Sequence, residues 1–331
     1  MLTRPDGARI WFDQHQSAPL GTAGAWAAPT SGAAAPLLVL CPPGGRNAAY
    51  WPASWITELQ DAGFEVLRFD WRDQGRSQLP APVTPSRQHG TENGTSPGAQ
   101  AAHVLPADVL AADVEALCAS VLGESPVDDP GAGGPARPAR SAGSTRSTRR
   151  DLYLVGVGLG GWVAMRVARR RADRGLRPSR LVLVGTSGWY ADPSLPGPTE
   201  PTVVSLVLRR RGSGPVDLLR AISREVAVEL GGVAGIDGTP LNAEVAGWLA
   251  HGFNAEDGHR VTWLAAGSQW GELEGLADRV TVLHGQIDPV VPLAHAHRLA
   301  RRAGADLIVV EGAGHHVDAV LRQALLATLH S

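Results

Sequence analysis

The chain is 331 residues long, with 44% apolar and 19% charged residues and a formal net charge of −2. That length holds one α/β core plus insertions, and the near-neutral charge excludes a basic nucleic-acid binder and a polybasic membrane-surface protein. Two cysteines, Cys41 and Cys118, make at most one bridge and no four-thiolate metal site, and the absence of lysine excludes Schiff-base chemistry and a phosphate-loop lysine.

The start of the chain (MLTRPDGARIWFD) lacks an apolar signal core, and no run of about 18 apolar residues is present to span a bilayer. The expectation is a soluble cytoplasmic globular protein. In chain order, an apolar run at 37–41 (LLVLC) leads into Pro-Pro-Gly-Gly, and a helical pattern follows at 51–62. A run at 64–70 (FEVLRFD) ends in Trp-Arg-Asp-Gln-Gly-Arg-Ser. A run at 151–155 (DLYLV) leads into a glycine-rich turn and a helical pattern at 162–171. Runs at 180–185 (RLVLVG), 280–285 (VTVLHG) and 306–311 (DLIVVE) complete the set. Continuous Val/Leu runs alternating with helices mark a parallel sheet covered on both faces, so the class is doubly wound α/β.

Three stretches break this rhythm. Residues 78–102 are rich in Pro, Gly, Thr and Ser, and 125–150 carry four Pro, four Gly, four Ser and five Arg. Neither buries enough apolar surface to offset its ordering entropy, so both read as mobile polar insertions. Residues 189–278 read as a helical cap inserted between two strands, carrying Trp248, Trp263 and Trp270.

The glycine turn admits two readings. Gly156, Gly158 and Gly161 satisfy G-x-G-x-x-G after a strand and before a helix, the dinucleotide fingerprint. Against a dinucleotide, the next strand ends in Thr186 and Ser187 rather than an acid for a ribose hydroxyl. The same stretch fits G-x-S-x-G, a strand-to-helix elbow, with Gly158 at the serine position. Asp288 follows a later strand in His-Gly-Gln-Ile-Asp-Pro, and His315 follows the last in Gly-Ala-Gly-His-His. Nucleophile position, acid and base thus occur in the order of an α/β-hydrolase.

On these residues, with Pro43-Gly44-Gly45, the turn from Asp70 to Ser77 and a cap stretch from Asp237 through Trp248 to Gly258, the chain resembles the α/β-hydrolase-fold superfamily. It is most similar to the aclacinomycin (anthracycline) methylesterase group. The resemblance implies one domain over 1–331, a mostly parallel doubly wound sheet and a helical cap inserted after the sixth strand. It also implies a serine nucleophile, which Gly158 cannot supply. Ser187 and Cys41 are the nearest substitutes at the same sheet edge, though a turn or helix-cap residue and a small buried filler are the favoured readings of them.

A His/Asp pair with backbone donors remains: His315 as general base, Asp288 orienting it, and the N–H groups of Leu159 and of Gly45 or Arg46 as an oxyanion hole. Such a site activates water or takes a proton from substrate to start a cyclisation, lyase, epimerisation or cofactor-free oxygenation step. His316 competes for the base role. His284 suits turn packing, and His295 and His297 are expected on the surface of a helix. The turn containing Asp70, Arg72 and Ser77 is expected to be structural. Trp189 and Trp270 are candidates for an apolar pocket accepting an aromatic or polyketide-like molecule. The expected partner is a small-molecule substrate or ligand, with no nucleic acid, membrane, cofactor or metal. A catalytically silent ligand-binding protein is the alternative, with a dinucleotide binder behind it.

Overall fold

The computed structural model describes residues 1–17, 34–79, 107–124, 150–199, 202, 215–231, 239–253 and 268–331. Strands β1 (Leu2–Thr3) and β2 (Arg9–Ile10) form a two-stranded antiparallel ribbon apart from the main sheet. There follow β3 (Phe12–His15), β4 (Leu37–Cys41), α1 (Ala53–Asp61), β5 (Glu65–Phe69), α2 (Ala107–Leu122), β6 (Leu152–Val157) and α3 (Leu159–Asp173). Then come β7 (Arg180–Val184), α4 (Pro215–Glu229), α5 (Thr239–His251), β8 (Val280–Gly285), α6 (Leu293–Ala303), β9 (Asp306–Val310) and α7 (Ala319–His330). The main sheet has seven strands in the order β3-β5-β4-β6-β7-β8-β9, with β3 antiparallel to β5 and every other pair parallel.

The apolar runs become these strands because both faces of the sheet are covered. Alternate residues serve opposite layers, as the period of two requires. Leu37, Val39 and Cys41 of β4 join Leu181, Leu183 and Val282 in a core with α2, α3 and α6. Leu38 and Leu40 join Val155, Val157, Val182 and Val184 in a second core with α1, α7 and the inserted helices α4 and α5. All five β4 residues are buried, and each fully buried Leu or Val contributes about 1.5–3 kcal/mol.

Observed boundaries differ from expectation where local chemistry competes with periodicity. Helix α3 begins at Leu159, three residues before the predicted start, because Gly160 and Gly161 are helical despite their composition. A Cβ on Gly160 would run into the carbonyls of Cys41 and Pro42, and one on Gly161 would stand 2.8 Å from Thr186. These glycines therefore permit the helix to lie close against β4 and β7. Helices α4 and α5 lie between β7 and β8, and β1 and β2 form a separate ribbon. The expected polar insertions lie almost wholly outside the described residues, as does Trp263. Gln78, where the first begins, pairs with Arg9.

Cys41 and Cys118 are both buried and unbridged. Among the described residues, no helix is long and apolar enough to cross a membrane, and no group of three or more His, Cys, Asp or Glu could hold a metal ion.

Candidate active site

The carboxyl ends of the parallel strands gather the residues that the sequence singled out. After β8, the chain turns at Asp288, whose Oδ1 accepts the N–H groups of Val290 and Val291, both at 2.8 Å. That turn leaves Oδ2 facing the loop after β9, where it lies 2.8 Å from His315 Nδ1. The bond puts the proton on Nδ1 and leaves Nε2 with its lone pair free, with no hydrogen-bond partner among the described residues. Burial alone would pull the His315 imidazole down, but the charge and hydrogen bond of Asp288 outweigh it, so His315 titrates above the ordinary histidine value.

Between β6 and α3, Gly158 takes φ 53° and ψ −118°, a conformation that favours glycine. Its N–H donates to Val184 O at 3.0 Å, and its carbonyl accepts from Gly161 N, Trp162 N and the Thr186 hydroxyl. The next residue, Leu159, opens α3 with an N–H that no described residue accepts, at the helix end where the dipole favours negative charge. The loop after β4 is pinned by the Trp71 indole on the carbonyls of Pro42 and Pro43. Arg46 N–H closes a turn onto Pro43 O at 3.2 Å, so of the two candidates there only Gly45 keeps an uncommitted N–H.

Arg46 instead matters through its side chain. It is 1% exposed, and its Nη2 lies 2.9 Å from Glu225 Oε1 and 3.0 Å from Glu229 Oε1, with the guanidinium over the Trp248 ring. Burial would lower it, yet Glu229 and Glu225 more than offset that and raise it. His316, the competing base, faces this cluster: its Nε2 is 3.4 Å from Glu244 and its ring meets Tyr50 edge-on. His315 and His316 thus have separate carboxylate partners. A second His/Asp pair ties the end of α5 to the turn after β5: His251 Nε2 is 3.0 Å from Asp70 Oδ2, which also accepts Arg76 N–H. Asn47 adds bonds to the carbonyls of Trp248 and Gly252.

Other candidates are placed less favourably for chemistry. Cys41 is fully buried among aliphatic side chains, and burial pushes its thiol far up, so it holds its proton. The Ser187 hydroxyl lies 2.8 Å from His295 Nδ1, while His295 Nε2 faces Pro196 O at 2.9 Å. His295 is therefore not a surface residue: it is 1% exposed, because it shares the inner face of α6 with Ala296, Leu299 and Ala300. His284 donates to Val291 O at 2.8 Å. Trp270 packs against Gly188 under the Arg302 guanidinium, and Trp189 is half-buried. In the turn expected to be structural, Ser77 donates to Asp70 O and Arg72 pairs with Asp113.

The sequence marked Arg46 only for its backbone N–H and not for its side chain, and it assigned no role to Glu225, Glu229, Glu244 or His251. The one available signal was the i, i+4 spacing of Glu225 and Glu229 on α4, which puts two carboxylates on one helix face.

A model of the alpha/beta hydrolase family matches residues 38–328. Among solved structures, the chain is similar to an esterase from Exiguobacterium antarcticum, with 16% identity, a TM-score of 0.62 and coverage of 98% of this chain and 95% of that one. It is also similar to an enol-lactonase from Burkholderia xenovorans LB400, with 17% identity, a TM-score of 0.61 and coverage of 98% and 95%. A meta-cleavage product hydrolase from Pseudomonas fluorescens IP01 shows 14% identity, a TM-score of 0.61 and coverage of 98% and 94%. None of the curated proteins matches the chain.

Proposed function

The chain belongs to the alpha/beta hydrolase family, and from that premise we propose that it acts on a small carbonyl compound with His315 as general base and without a serine nucleophile. The observation that carries this reading is the 2.8 Å His315–Asp288 contact, with the other Asp288 oxygen fixed by two backbone N–H groups. In its neutral form His315 takes a proton at Nε2, either from a water delivered to an ester or lactone carbonyl or from a carbon beside that carbonyl. Asp288 stabilises the imidazolium so formed. The uncommitted N–H groups of Leu159 and Gly45 meet the negative charge that develops on the carbonyl oxygen. Gly158 stands at the elbow with no side chain, so no acyl-enzyme forms there.

The resemblance to aclacinomycin methylesterases supports an aromatic or polyketide-like ester or ketone as substrate. Hydrolysis of short-chain nitrophenyl esters by the purified protein, with His315→Ala as the matched control, tests the proposal. Turnover that disappears in the variant supports general-base hydrolysis. If neither protein turns over the esters, simple ester hydrolysis is wrong.

One observation favours a second reading. The Gly158 backbone holds a conformation that glycine adopts without strain, which suits a protein retired from acyl chemistry and used to bind a ligand. In that case wild type and His315→Ala bind the same aromatic ligands with equal affinity and neither converts them.

A further inference from the structure

We propose that Glu229, the last residue of α4, is a positioning residue that holds the base loop and the oxyanion loop in register. The inference rests on the reading of His315 as base and of Gly45 as a donor. Those two residues leave from β9 and β4, which have β6, β7 and β8 between them in the sheet. Hydrogen bonds of the ladder fix the strands, but the two loops rise beyond the sheet edge and need their own cross-connection.

Glu229 supplies it from both ends of one residue. Its main-chain carbonyl accepts the His315 N–H at 2.6 Å and the His316 N–H at 3.4 Å. Its side chain accepts from Arg46 Nη2 at 3.0 Å, on the residue next to Gly45. Glu225, one helical turn earlier, holds the same Nη2 at 2.9 Å. The packing is close: a Cβ on Gly314 would run into the Glu229 carbonyl, so the glycine before His315 is what lets the end of α4 seat there. The contact with Arg46 is nearly dry, with the guanidinium 1% and the Glu229 side chain 12% exposed. An ion pair so shielded is weakened little by salt and resists dissociation. Because α4 belongs to the stretch inserted between β7 and β8, its seating and the geometry of the site are one arrangement.

The experiment uses the full chain carrying Glu229→Ala and Glu229→Gln, with Glu244→Gln as the comparison, since Glu244 faces His316 but bonds neither Arg46 nor His315. Amide deuterium exchange is followed in the peptides covering 43–49 and 313–317 and in strand β6. The expected result in the Glu229 variants is exchange faster by about tenfold or more in both loops, with β6 protected as in wild type and Glu244→Gln unchanged. Faster exchange in one loop alone, in neither, or throughout the chain including β6 overturns the proposal. If Glu229→Ala does not fold, the near-isosteric Gln variant decides by the same criteria.

A second readout separates register from bulk packing. The groups that face His315 are Asp288, Glu229, Arg46 and His284, and the midpoint of the His315 ring titration, read by nitrogen NMR, should fall when the Glu229 charge is removed. A midpoint equal to wild type in folded Glu229→Gln overturns the proposal as well. Neither readout requires turnover, so failure of the hydrolytic reading leaves this test intact.

Discussion

Gly185 is packed against His315 so closely that a Cβ on it would stand 3.1 Å from His315 Nδ1 and 3.2 Å from Asp288 Oδ2. The residue also has φ +51°, where side chains are strained. The end of β7 therefore forms the floor beneath the His/Asp pair. Gly185→Ala should cost about 1–2 kcal/mol from backbone strain alone and push the imidazole off Asp288. Urea unfolding together with the His315 ring titration checks this. A variant as stable as wild type with an unchanged titration contradicts that role for the floor.

Restoring a side chain at the elbow is the direct test of what Gly158 withholds. Gly158→Ser places a hydroxyl where the family pattern expects it, at a strain of about 1–2 kcal/mol because φ is positive. If His315 and the N–H donors are in working order, the variant should release a burst of nitrophenol stoichiometric with protein, the mark of an acyl-enzyme. A folded variant without a burst shows that more than the serine is missing.

The pH dependence follows from the direction of the His315 shift. As a base His315 must be neutral, so turnover falls as pH drops through its raised value. Folding stability changes in the other direction. A histidine raised in the folded state contributes its full stabilisation below the unfolded value of about 6.5 and loses it as pH rises through the folded value. Asp288→Asn removes the charge that raises His315, so the acid limb of the rate profile and this window of stability should both move to lower pH. Rate and urea midpoint, each measured between about pH 5 and pH 9, check the two limbs.

Ser187→Ala separates a structural hydroxyl from a substitute nucleophile. The hydroxyl is fully buried and bonded to His295, whose imidazole burial lowers and keeps neutral. Removing it leaves a buried ring nitrogen without its donor, at a cost of about 1–3 kcal/mol. Any ester turnover should survive once the variant is folded. Loss of turnover with unchanged stability would make Ser187 the nucleophile.

Arg46→Ala removes the shared counter-ion of Glu225 and Glu229 in a buried setting. The expected loss is about 3–5 kcal/mol, an effect of the size usually seen for core cavities. A loss below about 1 kcal/mol, measured by urea unfolding, would mean that water reaches the cluster and replaces the guanidinium.

Strands β4 to β9 were legible because each is an apolar run dominated by Leu and Val, as a sheet covered on both faces demands, whereas the short β1 and β2 and the polar edge strand β3 (FDQH) carry no such run and were not read. Asp288 and His315 were legible by order and by their local motifs. The start of α3 was not, since Gly160 and Gly161 are unfavourable in helices by propensity and are explained only by what lies against them. His295 was misplaced although its spacing to Leu299 marks an inner face of α6. Arg46 pairs with residues 179 and 183 positions away, and His251 with one 181 positions away. No local pattern encodes contacts of that range between charged side chains, which read in sequence as ordinary solvated positions.

The elbow has a consequence on the scale of descent rather than of structure. Glycine codons GGU and GGC become the serine codons AGU and AGC by changing one base. With the turn, the helix start and the His/Asp pair in place around position 158, a gene that writes this glycine as GGU or GGC stands one substitution from a hydroxyl at the sheet edge. Libraries built on a GGU or GGC codon at 158 and selected for growth on an ester should therefore return serine there before any remodelling of the surrounding loops.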